Sequence, residues 1–338
     1  MVLLNILSTK IIRHKYKLWF IQTLLTFALK TYTKGDLFIM LEMLSNCNLC
    51  PHSCNINRLN DKLGFCKCGK KVKLARVSLH HWEEPCISGT KGSGTIFFSN
   101  CNLKCVFCQN HEISDAGIGK EISIERLSEI FLEQQENGAH NINLVTPTHY
   151  VPQIIEALKL SKARGLSIPI LYNTNGYERI ETIKALEGYI DVYLPDLKYF
   201  KDKYAVKYSN APNYFSYASH AINEMVRQVG KPVFDEDGII KRGVIIRHMM
   251  LPGLLFDSKK IVDYIYSTFH NDVFISLMNQ YTPMHKASLY KEINRPLNPD
   301  HYESLIQYSL SLGVINGFIQ EYGTASSVFV PEFDLRGV

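Results

Sequence analysis

No apolar run in this 338-residue chain approaches the roughly 20 residues that a bilayer-spanning helix needs. The longest candidate, "LWFIQTLLTFAL" near the N-terminus, is too short, which excludes a transmembrane helix there. Charge of one sign is also scarce: 37 basic against 32 acidic residues leave a net charge of only +5. That is too mild to signal a nucleic-acid partner. No G-x-G-x-x-G follows the first strand-like segment, which counts against a dinucleotide-binding sheet. Nine cysteines, an odd number, fall mostly in tight clusters. In a chain this long, that argues against a disulfide framework and for metal binding in a reducing compartment, so a cytoplasmic location is expected.

The N-terminus lacks acids altogether until Asp36, while Lys10, Arg13, Lys15, Lys17, Lys30 and Lys34 precede it. Residues 1–45 read as an extension outside the fold, with Met40 or Met43 as the start of the folded chain. A membrane-surface helix and a cleaved organellar targeting peptide are the other readings. Residues 46–90 form a cysteine-rich arm, 91–325 the main domain and 326–338 a tail.

Beyond Gly92 strand-like and helix-like segments alternate. "TIFFS", "NINLVTP", "IPILYNTNG", "IDVYLPDLK", "GVIIRHMML" and "VFISLMNQY" are strand-like. Between them "SIERLSEIFLEQQENG", "VPQIIEALKLSKARG", "RIETIKALEG" and "SKKIVDYIYSTF" have helical spacing, and "HYESLIQYSLSLG" follows the last strand. The tyrosine-rich stretch up to about Gly230 reads as a long connection. Six strand–helix repeats imply parallel strands with right-handed crossovers, an α/β fold of the partial (β/α)6 TIM-like barrel type. In such a barrel the loops leaving the strands' C-terminal ends build the active site.

One of those loops carries Cys101, Cys105 and Cys108, spaced C-x3-C-x2-C. A structural zinc closes with four ligands, and His111 would complete a C-x3-C-x2-C-x2-H set. A [4Fe-4S] cluster held by three thiolates instead leaves one iron open for a substrate or cofactor. In the arm, Cys47, Cys50, Cys54 and Cys66 make C-x2-C-x3-C-x11-C, with Cys68 spare. They suit a closed second metal site, zinc or an auxiliary iron–sulfur cluster. "HHWEEP" (His80 to Pro85) lies between the two groups, as a substrate-facing strip or an anchor for the arm.

With Phe107 in place, C-x3-C-x-aromatic-C resembles the signature of the radical S-adenosylmethionine (radical SAM) superfamily. "CQN" (Cys108 to Asn110), "NTNG" (Asn173 to Gly176), "PDLK" (Pro195 to Lys198) and, more weakly, "IRHMMLPG" (Ile246 to Gly253) resemble its pyruvate formate-lyase-activating-enzyme branch. The stretch from His80 to Asn110 is similar to a group of activase-like proteins within it. The resemblance runs from about Cys47 to Tyr322.

That resemblance implies a [4Fe-4S] cluster on Cys101, Cys105 and Cys108, with SAM chelated by the remaining iron. SAM would be cleaved reductively to a 5′-deoxyadenosyl radical that abstracts hydrogen from a substrate. It implies a low-potential electron donor such as flavodoxin or ferredoxin, and a protein or peptide substrate of glycyl-radical-activase type. A small metabolite or a modified nucleoside is the second enzymatic reading, and a zinc-binding module the non-enzymatic one. By resemblance Phe107 borders the adenine, with Gln109 and Asn110 beside it. Asp196 and Lys198 meet the ribose and carboxylate region, and Asn173 and Asn175 form a wall or a turn.

Two positions depart from the pattern. The glycine-rich motif that receives SAM's amino group is replaced by "TPTH", placing Thr146, Thr148 and His149 there. Tyr281 stands where the activase has a histidine, with His285 just beyond.

Overall fold

The computed structural model describes residues 42–320 and 331–338, and the expectations for residues 1–41 lie outside them. Strand β2 (Ser93–Phe98) is buried along its whole length, as a strand with both faces covered must be. It pairs in parallel with β4 (Ile142–Val145), and β4 with β5 (Ile170–Thr174). The series continues through β6 (Val192–Pro195), β8 (Ile240–Met249), β9 (Phe274–Met278) and β10 (Gly317–Ile319), all parallel.

Helices fill the crossovers. They are α1 (Ile124–Glu136), α2 (Val151–Ala163), α3 (Ile180–Ala185), α4 (Asp202–Ser209), α5 (Tyr214–Val229), α6 (Leu255–Phe269) and α7 (Pro299–Leu312). Local chemistry sets several of their ends. Ser123 caps α1 by accepting a hydrogen bond from Arg126 N at 3.1 Å. Asn298 caps α7 with a proline in its first turn, and Gly313 ends it in the left-handed conformation.

Sheet order is β10-β9-β8-β6-β5-β4-β2, continued by β1 (Val72–His80) and β3 (Lys120–Ile122), and the sheet does not close. The expected partial barrel is the fold, with one parallel strand more than the repeat pattern indicated. The arm contributes to the same sheet. Strand β1 pairs antiparallel with β2, and β3 pairs with β1. The short β7 (Val233–Phe234) hangs from β8. Residues 331–338 lie along β1, with Val77 N donating to Arg336 O and Leu335 N to Ala75 O. Phe333 packs its ring on Phe97.

The connection after β6 is not a loop but two helices. On α5 the residues Tyr214, Ala218, Ala221, Ile222, Met225 and Val229 are buried, a stripe at helical spacing. The buried Ser219 and Glu224 interrupt that stripe in the sequence. Among the described residues no helix is long and apolar enough to cross a membrane.

Because the parallel strands stay in register, Phe98, Val145, Thr174, Pro195, Met249 and Met278 all end at one rim. The segments leaving that rim carry the polar residues singled out above.

Candidate active site

A cavity of about 380 Å³ opens at this rim, lined by Cys101, Cys105 and Cys108 together with Phe107, Gln109, Asn110, Thr146, Asn173, Asn175, Asp196, Lys198 and Tyr281. Thus nearly every residue singled out for the main site faces one space. Each thiol has a polar neighbour. Asn175 Nδ2 lies 3.4 Å from Cys101 Sγ, Ser209 Oγ 3.0 Å from Cys105 Sγ, and Ser114 Oγ 3.2 Å from Cys108 Sγ. The loop is pinned to the end of α4, where Lys104 N donates to Ser209 O and Val106 N to Tyr208 O.

Burial pushes the Cys101 thiol up to about 12 and Cys105 to about 11, with Lys198 pulling Cys105 back down; Cys108 is also raised by burial. Bare, these are neutral thiols; a bound metal would deprotonate them. Three soft sulfur donors on one loop, with a buried ammonium nearby, fit an iron–sulfur cluster. His111 does not complete the set. It opens a helical turn (His111–Ser114), and its ring stacks on His285 at 4.7 Å.

Opposite the thiols, Lys198 Nζ bonds Asp196 Oδ2 at 2.6 Å. Burial works against the Lys198 charge, but the Asp196 carboxylate outweighs it, so the ammonium is held charged. The Tyr214 hydroxyl lies 2.8 Å from Asn175 O and 2.9 Å from Asp196 O, and accepts Lys198 N–H at 3.1 Å. One side chain thereby clasps the "NTNG" and "PDLK" loops together. Phe107 and Tyr281 meet with ring centroids 5.8 Å apart. The Tyr281 hydroxyl is turned away onto Ile293 O, so Tyr281 presents only its ring. Gln109 Nε2 is fixed on Gln280 O at 2.9 Å.

Thr146 occupies the left-handed region at φ +60°, an outlier for a β-branched residue. The chain therefore keeps a glycine-type backbone at a threonine, in the place of the expected glycine-rich motif. Such strain is typically stored where a site requires it.

Thr148 differs from its expected position. It does not line the cavity; its hydroxyl donates to Glu178 Oε1 at 2.6 Å inside the barrel. Tyr172 and Thr174 hydroxyls bond the same oxygen, while Glu178 Oε2 is buried without a partner. Burial, against these three donors, raises the Glu178 pKa to about 7. The folded state therefore holds a proton that the unfolded chain has lost. Its stabilisation is present below the unfolded value near 4.5 and is lost as pH rises through about 7, at about 1.4 kcal/mol per pH unit in that window. Urea unfolding between pH 5 and 7.5 is expected to show this decline and Glu178→Gln to flatten it. Parallel pH profiles for the two proteins would rule the assignment out.

Sequence reasoning also left the buried Arg247 and its two glutamate partners without a role. Arg247, next to β6 in the sheet, donates through Nε to Glu84 Oε1 at 2.9 Å and through Nη2 to both Glu83 and Glu84. Glu83 Oε1 also accepts from Asn143 Nδ2 at 2.8 Å. Both Glu83 and Arg247 line the cavity. "HHWEEP" is thus an anchor and a cavity wall at once.

The arm's Cys47, Cys50, Cys54 and Cys66 line a second, much smaller cavity with His149 and Arg58. All nine cysteines are free thiols. Among the described residues no group of three or more His, Cys, Asp or Glu side chains already converges on a metal position.

The Radical SAM superfamily model matches residues 95–265 of this chain. A relative in Methanocaldococcus jannaschii, uncharacterized protein MJ0674, is 32% identical over 288 residues, covering 81% of this chain and 78% of its own. Among solved structures, Streptococcus suis SuiB bound to S-adenosylmethionine matches with 16% identity and a TM-score of 0.47, over 67% of this chain and 49% of SuiB. This chain therefore spans about half of SuiB. A domain of the pyruvate-formate lyase-activating enzyme from Bacteroides vulgatus matches with 16% identity and a TM-score of 0.38, over 51% of this chain and 92% of that domain. The superfamily match takes in the cysteine loop and the rim ends of five of the rim-building strands, β2, β4, β5, β6 and β8, and the chain belongs to the radical SAM superfamily.

Proposed function

We propose that this enzyme directs radical SAM chemistry at a protein or peptide, as an activase that abstracts hydrogen from its partner. When bound at Cys101, Cys105 and Cys108, a [4Fe-4S] cluster would supply the electron that cleaves SAM to a 5′-deoxyadenosyl radical. The observation that carries the site assignment is that three thiols of one loop share a cavity with the Asp196–Lys198 pair and the Phe107–Tyr281 shelf.

The remaining roles belong to the chain. Lys198 offers a charged donor for SAM's carboxylate, and Asp196 an acceptor for a ribose hydroxyl. Phe107 and Tyr281 give the adenine an apolar surface, with Gln109 and Asn110 at its edge. Thr146 N is committed to Asn173 O at 2.9 Å, which leaves its carbonyl or hydroxyl to accept from SAM's amino group. Asn175 holds the cluster loop through Cys101 and Asn102.

What supports a macromolecular substrate is the other side of the cavity. It is lined by Met249, Met278, His80 and Trp82, the last 69% exposed. Methionines and a rim tryptophan make an adaptable, amphipathic contact surface beside a sheet that does not close. Superfamily chemistry requires a reductant. Lys104 of the loop and Lys286, whose backbone N–H donates to Val106 O, flank Asp115, a basic edge suited to an acidic flavodoxin- or ferredoxin-type donor.

The test is anaerobic reconstitution with reductant and SAM. 5′-Deoxyadenosine is expected at rates well above a Cys108→Ala control. With the partner present, deuterium from that protein should appear in 5′-deoxyadenosine and a radical in the protein by EPR. Label arriving only from a metabolite or nucleoside pool would overturn the protein-substrate reading, and no 5′-deoxyadenosine above the control would overturn the site.

A further inference from the structure

Arg58 sits on a short turn (Arg58–Asn60) of the arm and is only 1% exposed. Its guanidinium donates to Gly69 O at 2.8 and 3.2 Å and to His149 O at 2.7 Å, with Cys47 Sγ 3.8 Å away. Among the described residues no carboxylate pairs with it. A guanidinium cannot shed its proton, and a buried charge without a counter-charge is strongly destabilising. Among the described residues the arm's thiols are the acids that lie nearest to it, with Cys47 Sγ in contact and Cys47, Cys50, Cys54 and Cys66 lining the same cavity as Arg58.

His149 gives an independent sign. It is 2% exposed, and its Nε2 lies 3.0 Å from Ser99 O. A carbonyl only accepts, so Nε2 carries the hydrogen and Nδ1 of the neutral ring is left with its lone pair. That Nδ1 is buried with no partner, and the residue lines the cavity shared by Cys47, Cys50, Cys54 and Cys66. An imidazole with one nitrogen donating to a backbone carbonyl and the other bare is oriented as metal-ligating histidines are. The cavity is about 10 Å³, room for one atom-sized guest.

We propose that His149 Nδ1, borne by the barrel, completes a single tetrahedral zinc-class site with three thiolates drawn from Cys47, Cys50, Cys54 and Cys66. Three thiolates around a divalent ion carry one net negative charge, which Arg58 balances. The thiols line the cavity without yet converging on it, so binding rotates them inward and tightens the arm. The site is structural: it staples the arm to the segment after β4, directly behind Ser99 and the cluster loop. It accounts for the "TPTH" departure, since the histidine serves the arm and not SAM.

Zinc-edge X-ray absorption on the anaerobically purified full chain tests this, because it does not see iron. About one zinc per chain with three sulfur neighbours near 2.3 Å and one nitrogen near 2.0–2.1 Å is expected, beside about four irons at the other site. In His149→Ala, loss of zinc to a chelator should accelerate at least about tenfold while iron and labile sulfide persist. If that variant does not fold, the absorption of the native chain decides alone. Four sulfurs without nitrogen, no zinc, or about eight irons per chain would each overturn the assignment. None of these outcomes touches the radical reading, which 5′-deoxyadenosine formation judges separately.

Discussion

Cys105→Ala is expected to abolish 5′-deoxyadenosine formation, whereas Ser209→Ala, one atom shell further out, should slow it by about 10- to 100-fold. The two residues touch: Cys105 Sγ lies 3.0 Å from Ser209 Oγ, which in turn lies 2.7 Å from the Tyr199 hydroxyl. Removing the thiol leaves two protein donors for a site that needs three, and iron content should collapse with activity. Removing the serine hydroxyl keeps all three donors. It also keeps the loop's anchor, because Lys104 bonds the Ser209 carbonyl and not its side chain. What is lost is orientation and a hydrogen bond to the sulfur. Iron and labile sulfide should therefore remain near wild-type in Ser209→Ala, with the cluster's reduction midpoint shifted. Anaerobic metal analysis and EPR separate the two cases. Equal iron retention in both variants would mean that Cys105 is not a ligand.

This contrast follows how the chain distributes its information. The cysteine loop is local, so its spacing was legible: three thiols within eight residues face one cavity whatever surrounds them. Parallel strands were legible too, because strands such as "TIFF", buried on both faces, read as continuous apolar runs. The helices between Asp202 and Val229 were hidden, since their buried faces mix small and polar residues with one tyrosine each, Tyr208 and Tyr214, whose hydroxyls bond Glu292 and the Asp196 carbonyl. Thr148 was misplaced for a different reason. Strand-end register puts it near the rim, but a short helical turn (Thr148–Tyr150) rotates it toward Glu178.

The Arg247–Glu84 pair joins positions 163 residues apart. In the sequence both look like ordinary surface charges, and only the fold makes them a buried wall of the site. His149 shows the same limit from the other direction. Its neighbours in sequence point to SAM, while its neighbours in space are the arm's thiols. Local motifs thus identified donors, and long-range packing decided which donors share a site.

Gly176→Ala is expected to damage both stability and cofactor binding, because two constraints meet there. Its φ is +79°, and a Cβ would lie 2.2 Å from Asp196 O and 3.0 Å from the Tyr214 hydroxyl. The first constraint alone costs roughly 1–2 kcal/mol in an L-residue. The second forces the "NTNG" loop off "PDLK", at a further cost of about 1–3 kcal/mol for overpacking. That clash strikes the clasp in which Tyr214 joins Asn175, Asp196 and Lys198, next to the rung from Asp196 N to Thr174 O. A displacement of about 1 Å at Asp196 and Lys198 is expected to lower SAM turnover on the order of 100-fold. Gly188 supplies the control: its φ is +81°, and nothing lies within 4 Å of an added Cβ. Gly188→Ala should therefore show the backbone strain alone, with SAM binding intact. Urea unfolding and SAM titration of the two variants isolate the close approach by difference. If Gly176→Ala loses no more stability than Gly188→Ala and binds SAM normally, the two loops are not held at the distance on which the cofactor site depends.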